Sequence, residues 1–243
     1  MKNIVLIPAR SGSKGFKHKN IKILENFPLL AYSIAAAKMT KGIDRVIVTT
    51  DSEEYANISR KYGAETPFLR PKSISNDKSS DLEFFKHCID WLNVNENYIP
   101  DNIIHLRPTT PIRDPEIISK AILFLNLNKK ATSLRSGHKA PESPFKWFLK
   151  DENNFFKGLK DGLTPDMVNM PRQGFPDVFI PDGYVDIVKP TTIKETGTLH
   201  GNNMLVFESP RSYEIDEEED FNYISFLIKK QKNHSLINFL KSI

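Results

Sequence analysis

Apolar positions along the chain follow two alternating patterns. Short runs rich in valine and isoleucine lie at 2–8 (KNIVLIP), 45–50 (RVIVTT) and 102–107 (NIIHLR), with a weaker run at 131–135 (ATSLR). Such runs predict parallel strands buried on both faces, which need not alternate because both sides meet another layer. Between them, Leu82, Phe85, Ile89 and Leu92 recur at spacings of three and four, as do Ile118, Ala121, Ile122 and Leu125. That spacing gathers each set on one helix face. Asp114 before Pro115 predicts a helix start, because a carboxylate accepts from free N–H groups and proline fits the first turn. Pro28 predicts the opening of a helix running to about Met39, and Glu217, Phe221, Ile224 and Ile228 trace a helix at the carboxyl end.

Strand, loop and helix alternate up to about residue 130, which predicts an α/β fold with a doubly wound, mostly parallel sheet. Ligands of such sheets bind beyond the carboxyl ends of the strands, so the loops after Pro8, Thr50 and Leu106 are the expected site. From about 137 to 200 the regularity fades into sequence rich in Pro, Gly and Asn with isolated aromatics. We read this as an irregular excursion within a single domain spanning 1–243. It holds Trp147, Phe148, Phe155, Phe156 and Phe175, a density of aromatics that predicts a partner surface.

Composition then narrows the class. Cys88 is the sole cysteine, which excludes an intramolecular disulfide framework and a thiol-rich zinc site, and its helical position predicts burial. No apolar run approaches the roughly 20 residues that span a bilayer, and MKNIVLIPAR reads as a first strand rather than a signal peptide. The expectation is a cytoplasmic protein with no membrane partner. A net charge of +4 is too mild to indicate a nucleic-acid binder. The basic residues also gather in one loop instead of interleaving with exposed aromatics over a broad face.

The distribution of charge is more telling than its sum. Arg10, Lys14, Lys17, Lys19 and Lys22 all precede the first acid, Glu25, whereas residues 214–220 (EIDEEED) are almost wholly acidic. The segment IPARSGSKGFKHKNIK follows the first strand directly. Gly12 and Gly15 permit tight bends, Ser11 and Ser13 supply hydroxyls, and Arg10, Lys14 and Lys19 supply charge, a combination suited to a polyphosphate. It is neither a Walker loop nor a GxGxxG fingerprint. Glu214 and Asp216 alternate on a short extended segment, so both carboxylates point to one side, as hard-oxygen ligands of Mg²⁺ would. Glu217 to Asp220 begin the last helix, where acids favour the positive end of the dipole. On the residues alone, a solvated basic turn and a solvated acidic face remain the alternatives.

The opening loop resembles the IPARGGSKG motif, with its basic stretch ending in Lys-Asn, of the CMP-sialic acid synthetase family, the acylneuraminate cytidylyltransferases. Further segments match in order. VTTDSEEYANISRKYGAE resembles the family's second strand and helix, and FLRPKSISNDKSSD its base-proximal loop. LRPTTPIRDP resembles LQPTSPLR, and EIDEEEDF resembles DIDTEEDF. The resemblance covers about 90% of the chain.

It implies that Arg10, Ser13, Lys14, Lys19 and Asn20 contact CTP, with Arg70, Ser79 and Ser80 near the cytosine and ribose. The family's Asp-x-Asp metal site falls on Glu214 and Asp216, leaving Asp216 as the direct ligand of Mg²⁺ (or Mn²⁺) and Glu214 ligating directly or through water. Lys14, Lys19 and Asp216 are the implied catalytic residues. Lys146, Arg172 and Gln173 match positions facing the sugar or the phosphates, and the excursion at 137–200 is implied to build a homodimer. The implied partners are CTP and an acidic nine-carbon sugar, coupled by attack of the anomeric hydroxyl on the α-phosphorus. His138 and His200 are read as structural.

Two departures bear on the sugar. Arg107 stands where the family commonly has Gln, and Asp182-Gly183-Tyr184-Val185-Asp186 where it commonly has Asn-Gly-Ala-Ile-Tyr. Arg107, Asp182 and Asp186 are therefore candidate sugar-side residues. A buried guanidinium must meet an anion: a sugar carboxylate, a phosphate, or an acid such as Asp182 or Asp186. N-acetylneuraminate, legionaminate and pseudaminate all stay open as substrates. A 3-deoxy-octulosonate cytidylyltransferase and a non-catalytic CTP-binding module are the alternatives.

Overall fold

A computed structural model describes residues 1–12, 16–230 and 235–243. The chain opens with β1 (Asn3–Pro8), a hairpin of two short strands, β2 (Ile23–Leu24) and β3 (Phe27–Pro28), and α1 (Leu29–Met39). Next come β4 (Arg45–Thr49), α2 (Glu53–Lys61), α3 (Asp81–Glu96), β5 (Asn102–His105), α4 (Pro115–Leu127) and β6 (Ser133–Lys139). β7 (Phe148–Lys150), β8 (Phe156–Gly158) and α5 (Pro165–Val168) precede the long β9 (Phe179–Val188). The chain continues with α6 (Pro190–Thr196), β10 (Met204–Glu208), α7 (Glu218–Lys230) and α8 (Ser235–Lys241).

The central sheet has the order β10-β6-β9-β5-β1-β4. β1 pairs in parallel with β4 and β5, and β10 with β6, while β9 runs antiparallel between β5 and β6. The expected α/β architecture with a mostly parallel sheet is therefore present. One face of the sheet packs on α1, α4, α7 and α8 through Val5, Ile7, Ile34, Leu125, Ile224 and Leu240. The other packs on α3 through Leu6, Ile103, Phe85, Cys88 and Leu92. Burial of both faces explains why β1, β4 and β5 read as unbroken apolar runs. Cys88 is buried as expected, and burial pushes its thiol up to about 12. Asp114 caps α4 by accepting from the Glu116 N–H at 2.9 Å.

The excursion is narrower than 137–200. Residues 179–188 belong to the central sheet and 190–196 form a helix beside it, so the irregular stretch is 140–178. Pro181 and Gly183 broke the apolar signal of β9, and its register with β6 shifts between Arg135 and Gly137. Gly183 sits there at φ 63°, a conformation costly for other residues. The 140–178 segment carries the β7–β8 hairpin, with Phe148 on Phe156 at 5.4 Å and Phe145 stacked on Phe175 at 6.2 Å. Trp147, Phe148 and Phe155 are exposed. No helix among the described residues is long and apolar enough to cross a membrane.

Candidate active site

A cleft of about 510 Å³ opens at the carboxyl ends of β1 and β5, where the topology predicted it. The loop after β1 forms one wall. Arg10 pairs with Asp77 at 2.6 Å, and the Ser11 N–H and hydroxyl both donate to Asp51, at 2.8 and 2.9 Å. Buried Asn20 donates from its amide to the Arg10 carbonyl at 3.1 Å, so it braces the loop as well as lining the cleft. Ser13 and Lys14 lie outside the described residues.

The acidic segment faces this wall. Lys19 Nζ donates to the Ile215 carbonyl at 2.7 Å and meets Asp216 at 3.2 Å, so the two motifs join across nearly the whole sequence. Ile215 is buried, and its N–H donates to the Thr109 carbonyl at 2.8 Å. That anchoring leaves the side chains of Glu214 and Asp216 on the cleft side. Glu214 accepts from the Thr109 hydroxyl at 2.8 Å, and Asp216 is 71% exposed. Asp220, in the first turn of α7, accepts from the Asp216 and Glu217 N–H groups at 2.9 and 3.0 Å. Those bonds hold its carboxyl below the ordinary range.

Arg70 is 5% exposed. It donates to the Thr49 carbonyl at 2.5 Å and the Thr49 hydroxyl at 3.1 Å, and its guanidinium lies 4.9 Å from the centre of the Phe84 ring. Burial holds it down to about 10. No carboxylate among the described residues pairs with it, which leaves a desolvated cation on the cleft wall.

Arg107 is the opposite case. It donates to Asp186 at 2.8 Å and to Asp81 at 3.1 Å. Burial disfavours its charge, and the two carboxylates outweigh that cost, raising its pKa. Its loop is clamped by fully buried Arg113, which donates to the carbonyls of Arg107, Gly183 and Tyr184 at 2.9, 2.9 and 2.6 Å. Of the acids expected near Arg107, Asp186 is its partner and Asp182 is not. Asp182 is buried and accepts from Ser136 at 2.7 Å, the Tyr184 N–H at 3.0 Å and Ser209 at 2.5 Å. His138 Nδ1 lies 3.4 Å away from it.

The cleft thus brings together Arg10, Lys19, Asn20, Arg70, Ser79, Arg107, Glu214 and Asp216, with Asp186 behind Arg107. Ser80 instead opens α3, its N–H donating to Glu83 at 2.6 Å in a capping box. Lys146, Arg172 and Gln173 lie on the 140–178 excursion and do not line the cleft. Lys146 donates to the Met170 carbonyl at 3.1 Å and Arg172 to the Pro141 and Ala140 carbonyls, both at 2.8 Å. Asp51, Asp81, His105 and Thr109 escaped the sequence reading. His105 ends β5, two residues before the end of the run expected at 102–107, so the rule that points to strand ends passed it by.

The fold is an α/β layer with a mostly parallel sheet, and its cleft of cations and carboxylates opens at the ends of β1 and β5. Residues 4–149 match the model of the cytidylyltransferase family. The N-acylneuraminate cytidylyltransferase of Escherichia coli O18:K1:H7 is 31% identical over 100% of this chain and 55% of its own length. The CMP-N,N'-diacetyllegionaminic acid synthase of Campylobacter jejuni is 29% identical over 91% of this chain and 93% of its own. The chain thus spans about half of the first relative and nearly all of the second. In fold it matches the structure of a CMP:2-keto-3-deoxy-manno-octonic acid synthetase complexed with CTP, with a TM-score of 0.69. That match covers 95% of this chain and 100% of the other at 13% identity, and it speaks for the fold alone. The chain belongs to the cytidylyltransferase family, whose members are nucleotidyltransferases.

Proposed function

We propose that the chain transfers CMP from CTP to the anomeric hydroxyl of a nonulosonic acid. The observation that carries this reading is the cleft itself, which sets the cations Arg10, Lys19 and Arg70 opposite the carboxylates Glu214 and Asp216. The relatives named for N-acylneuraminate and for N,N'-diacetyllegionaminic acid supply the sugar class. In the reaction the anomeric oxygen bonds to the α-phosphorus as the bond to the β-phosphate oxygen breaks. Pyrophosphate leaves with the electron pair, and the hydroxyl proton passes to a cleft carboxylate or to solvent. Arg10, Lys19 and, from the opening loop, Ser13 and Lys14 hold the triphosphate. Arg70 offers its buried charge beside it, while Phe84 and Ser79 border the nucleoside. Alignment of the two reactants supplies much of the acceleration.

Glu214 and Asp216 fit Mg²⁺ (or Mn²⁺). They are hard-oxygen donors beside each other on the cleft, and no group of three or more His, Cys, Asp or Glu among the described residues forms a closed protein cage. Mg²⁺ prefers one or two carboxylates with waters and substrate phosphates. Bound there, the ion would neutralise charge developing on the phosphate oxygens.

The exposed aromatics of 140–178 support a homodimer, in which Lys146, Arg172 and Gln173 would meet ligands from a position they do not occupy within one chain. Light scattering at micromolar concentration checks this, and an active monomer contradicts it. The reaction is tested by pyrophosphate release from CTP, UTP and ATP with a panel of nonulosonic acids and 3-deoxy-octulosonate. CTP with a nonulosonic acid should be used far better than any other combination. Equal turnover of all three nucleotides, or turnover with 3-deoxy-octulosonate alone, overturns the reading.

A further inference from the structure

His105 ends β5, and its side chain is 1% exposed. The edges of Phe84 and Phe85 pack against its ring at 5.6 and 5.3 Å. Neither ring nitrogen has a hydrogen-bond partner among the described residues, since even the Asp81 carboxylate stands 3.9 Å from Nδ1. A buried polar group left unpaired destabilises the fold, and native interiors pair most such groups. The ring nevertheless lines the cleft described above.

Its place in the sheet shows which part of the cleft it serves. Asp186 of β9 pairs with His105 on one side and with Arg135 of β6 on the other, so the three form a row across the sheet. Arg107, two residues on, shares Asp81 and Asp186 with that row. Around His105 the cleft thus sets Arg107 and Arg135 against Asp81 and Asp186. Burial, then the charges of Arg107, Arg113, Arg135 and His200, push the imidazole pKa well below its ordinary value. A neutral ring carries one donor and one acceptor. Such a ring can donate to a hydroxyl or accept from one, and it carries no charge of its own to draw an anion.

We propose that His105 hydrogen-bonds directly to a hydroxyl of the acceptor sugar and so positions the sugar for attack. The proposal rests on the functional reading above and adds a residue to it. Because the site sacrifices pairing at His105, the ring should be worth more to the substrate than to the fold.

His105→Phe keeps a ring of similar size between Phe84 and Phe85 and removes both orphaned nitrogens. The expected result is a melting temperature equal to or above wild type, with kcat/KM for the sugar reduced about tenfold or more. The KM for CTP should stay within about threefold, less than one hydrogen bond's worth. His105→Gln, which keeps a donor and an acceptor, should recover part of the sugar kcat/KM and serves if the Phe variant does not fold. Unchanged sugar kinetics in either folded variant, or a change confined to the KM for CTP, overturns the proposal. So does a fall in melting temperature with intact kinetics, the signature of a purely structural role. A wild-type enzyme that transfers CMP to no sugar in the panel overturns the functional reading, and this proposal with it.

Discussion

Two arginines line the cleft, Arg70 buried and Arg107 partly buried, and their surroundings differ in a way their sequence contexts do not. Arg70 has a carbonyl, a hydroxyl and an aromatic face but no paired carboxylate among the described residues, and burial outweighs the more distant Asp51 and Asp81 to weaken its hold on the proton. Arg107 has two carboxylates, one of them only 2% exposed, and they strengthen that hold. A desolvated cation without a counter-charge is poised for an anion from outside the protein. A cation already neutralised by Asp81 and Asp186 is poor at capturing an anion but orders a network of donors and acceptors. On the function proposed above, Arg70 would meet phosphate charge and the Arg107 network the uncharged groups of a sugar.

The largest effect should come where the basic and acidic segments meet. Asp216→Ala removes the exposed carboxylate beside Lys19 and the more direct of the two expected metal ligands. We expect kcat to fall by about 10²-fold or more, with Glu214→Ala hurt less because Thr109 already engages that side chain. Steady-state pyrophosphate release over a Mg²⁺ titration measures both, and full activity of Asp216→Ala at ordinary Mg²⁺ refutes the assignment.

The arginines themselves come next. Arg107→Gln leaves Asp186 buried without its closest cation, so stability should fall by about 3 kcal/mol, read by chemical denaturation. If the network also reads the sugar, the ranking of two nonulosonic acids should change while the KM for CTP holds. An unchanged ranking in the folded variant makes Arg107 a structural residue only. Arg70→Gln should do the reverse. It removes a costly buried charge, so stability changes little, and kcat/KM for CTP drops about 10- to 100-fold, the worth of one hydrogen bond to a charged group. Equal losses for CTP and for the sugar in both variants would erase the distinction between the two arginines.

Much of this organisation was legible in the sequence, and the gaps have physical causes. β1, β4 and β5 announced themselves because buried parallel strands are apolar throughout, and α4 did so through Asp114 and Pro115. β9 did not, since Pro181 and Gly183 interrupt it, and its place between β5 and β6 depends on pairings with residues about 40 or more positions away. α8 is a single short helix, and nothing in its sequence had marked it. The cations of the first loop could be picked out by type and spacing. His105, Asp81 and the pairing of Arg107 could not, because what matters at each is the partner, and only the fold supplies that. Asp182 shows the converse: its residue type suggested a sugar contact, but Ser136, Ser209 and the Tyr184 N–H consume its oxygens.

The smallest expected effect tests whether the acidic segment is positioned or merely present. Asp220 accepts the N–H groups of Asp216 and Glu217, and so ties the start of α7 to the residue that faces Lys19. Loss of such a cap costs about 1 kcal/mol, so Asp220→Ala should lower stability by about that much. Its effect on turnover should be modest, appearing as a raised Mg²⁺ requirement as Asp216 loses its fixed place. The pH dependence has a definite sign. Because the folded state holds the Asp220 carboxyl below the ordinary range, its contribution is present above the pKa of the unfolded chain. It is lost as pH falls through the folded value, where the protonated carboxyl no longer offers a charged acceptor. The difference in stability between wild type and Asp220→Ala should therefore be full at neutral pH and shrink toward zero in strong acid. A difference that persists undiminished in acid, or a Mg²⁺ requirement identical to wild type, would mean that the segment holds Asp216 without help from the helix that follows it.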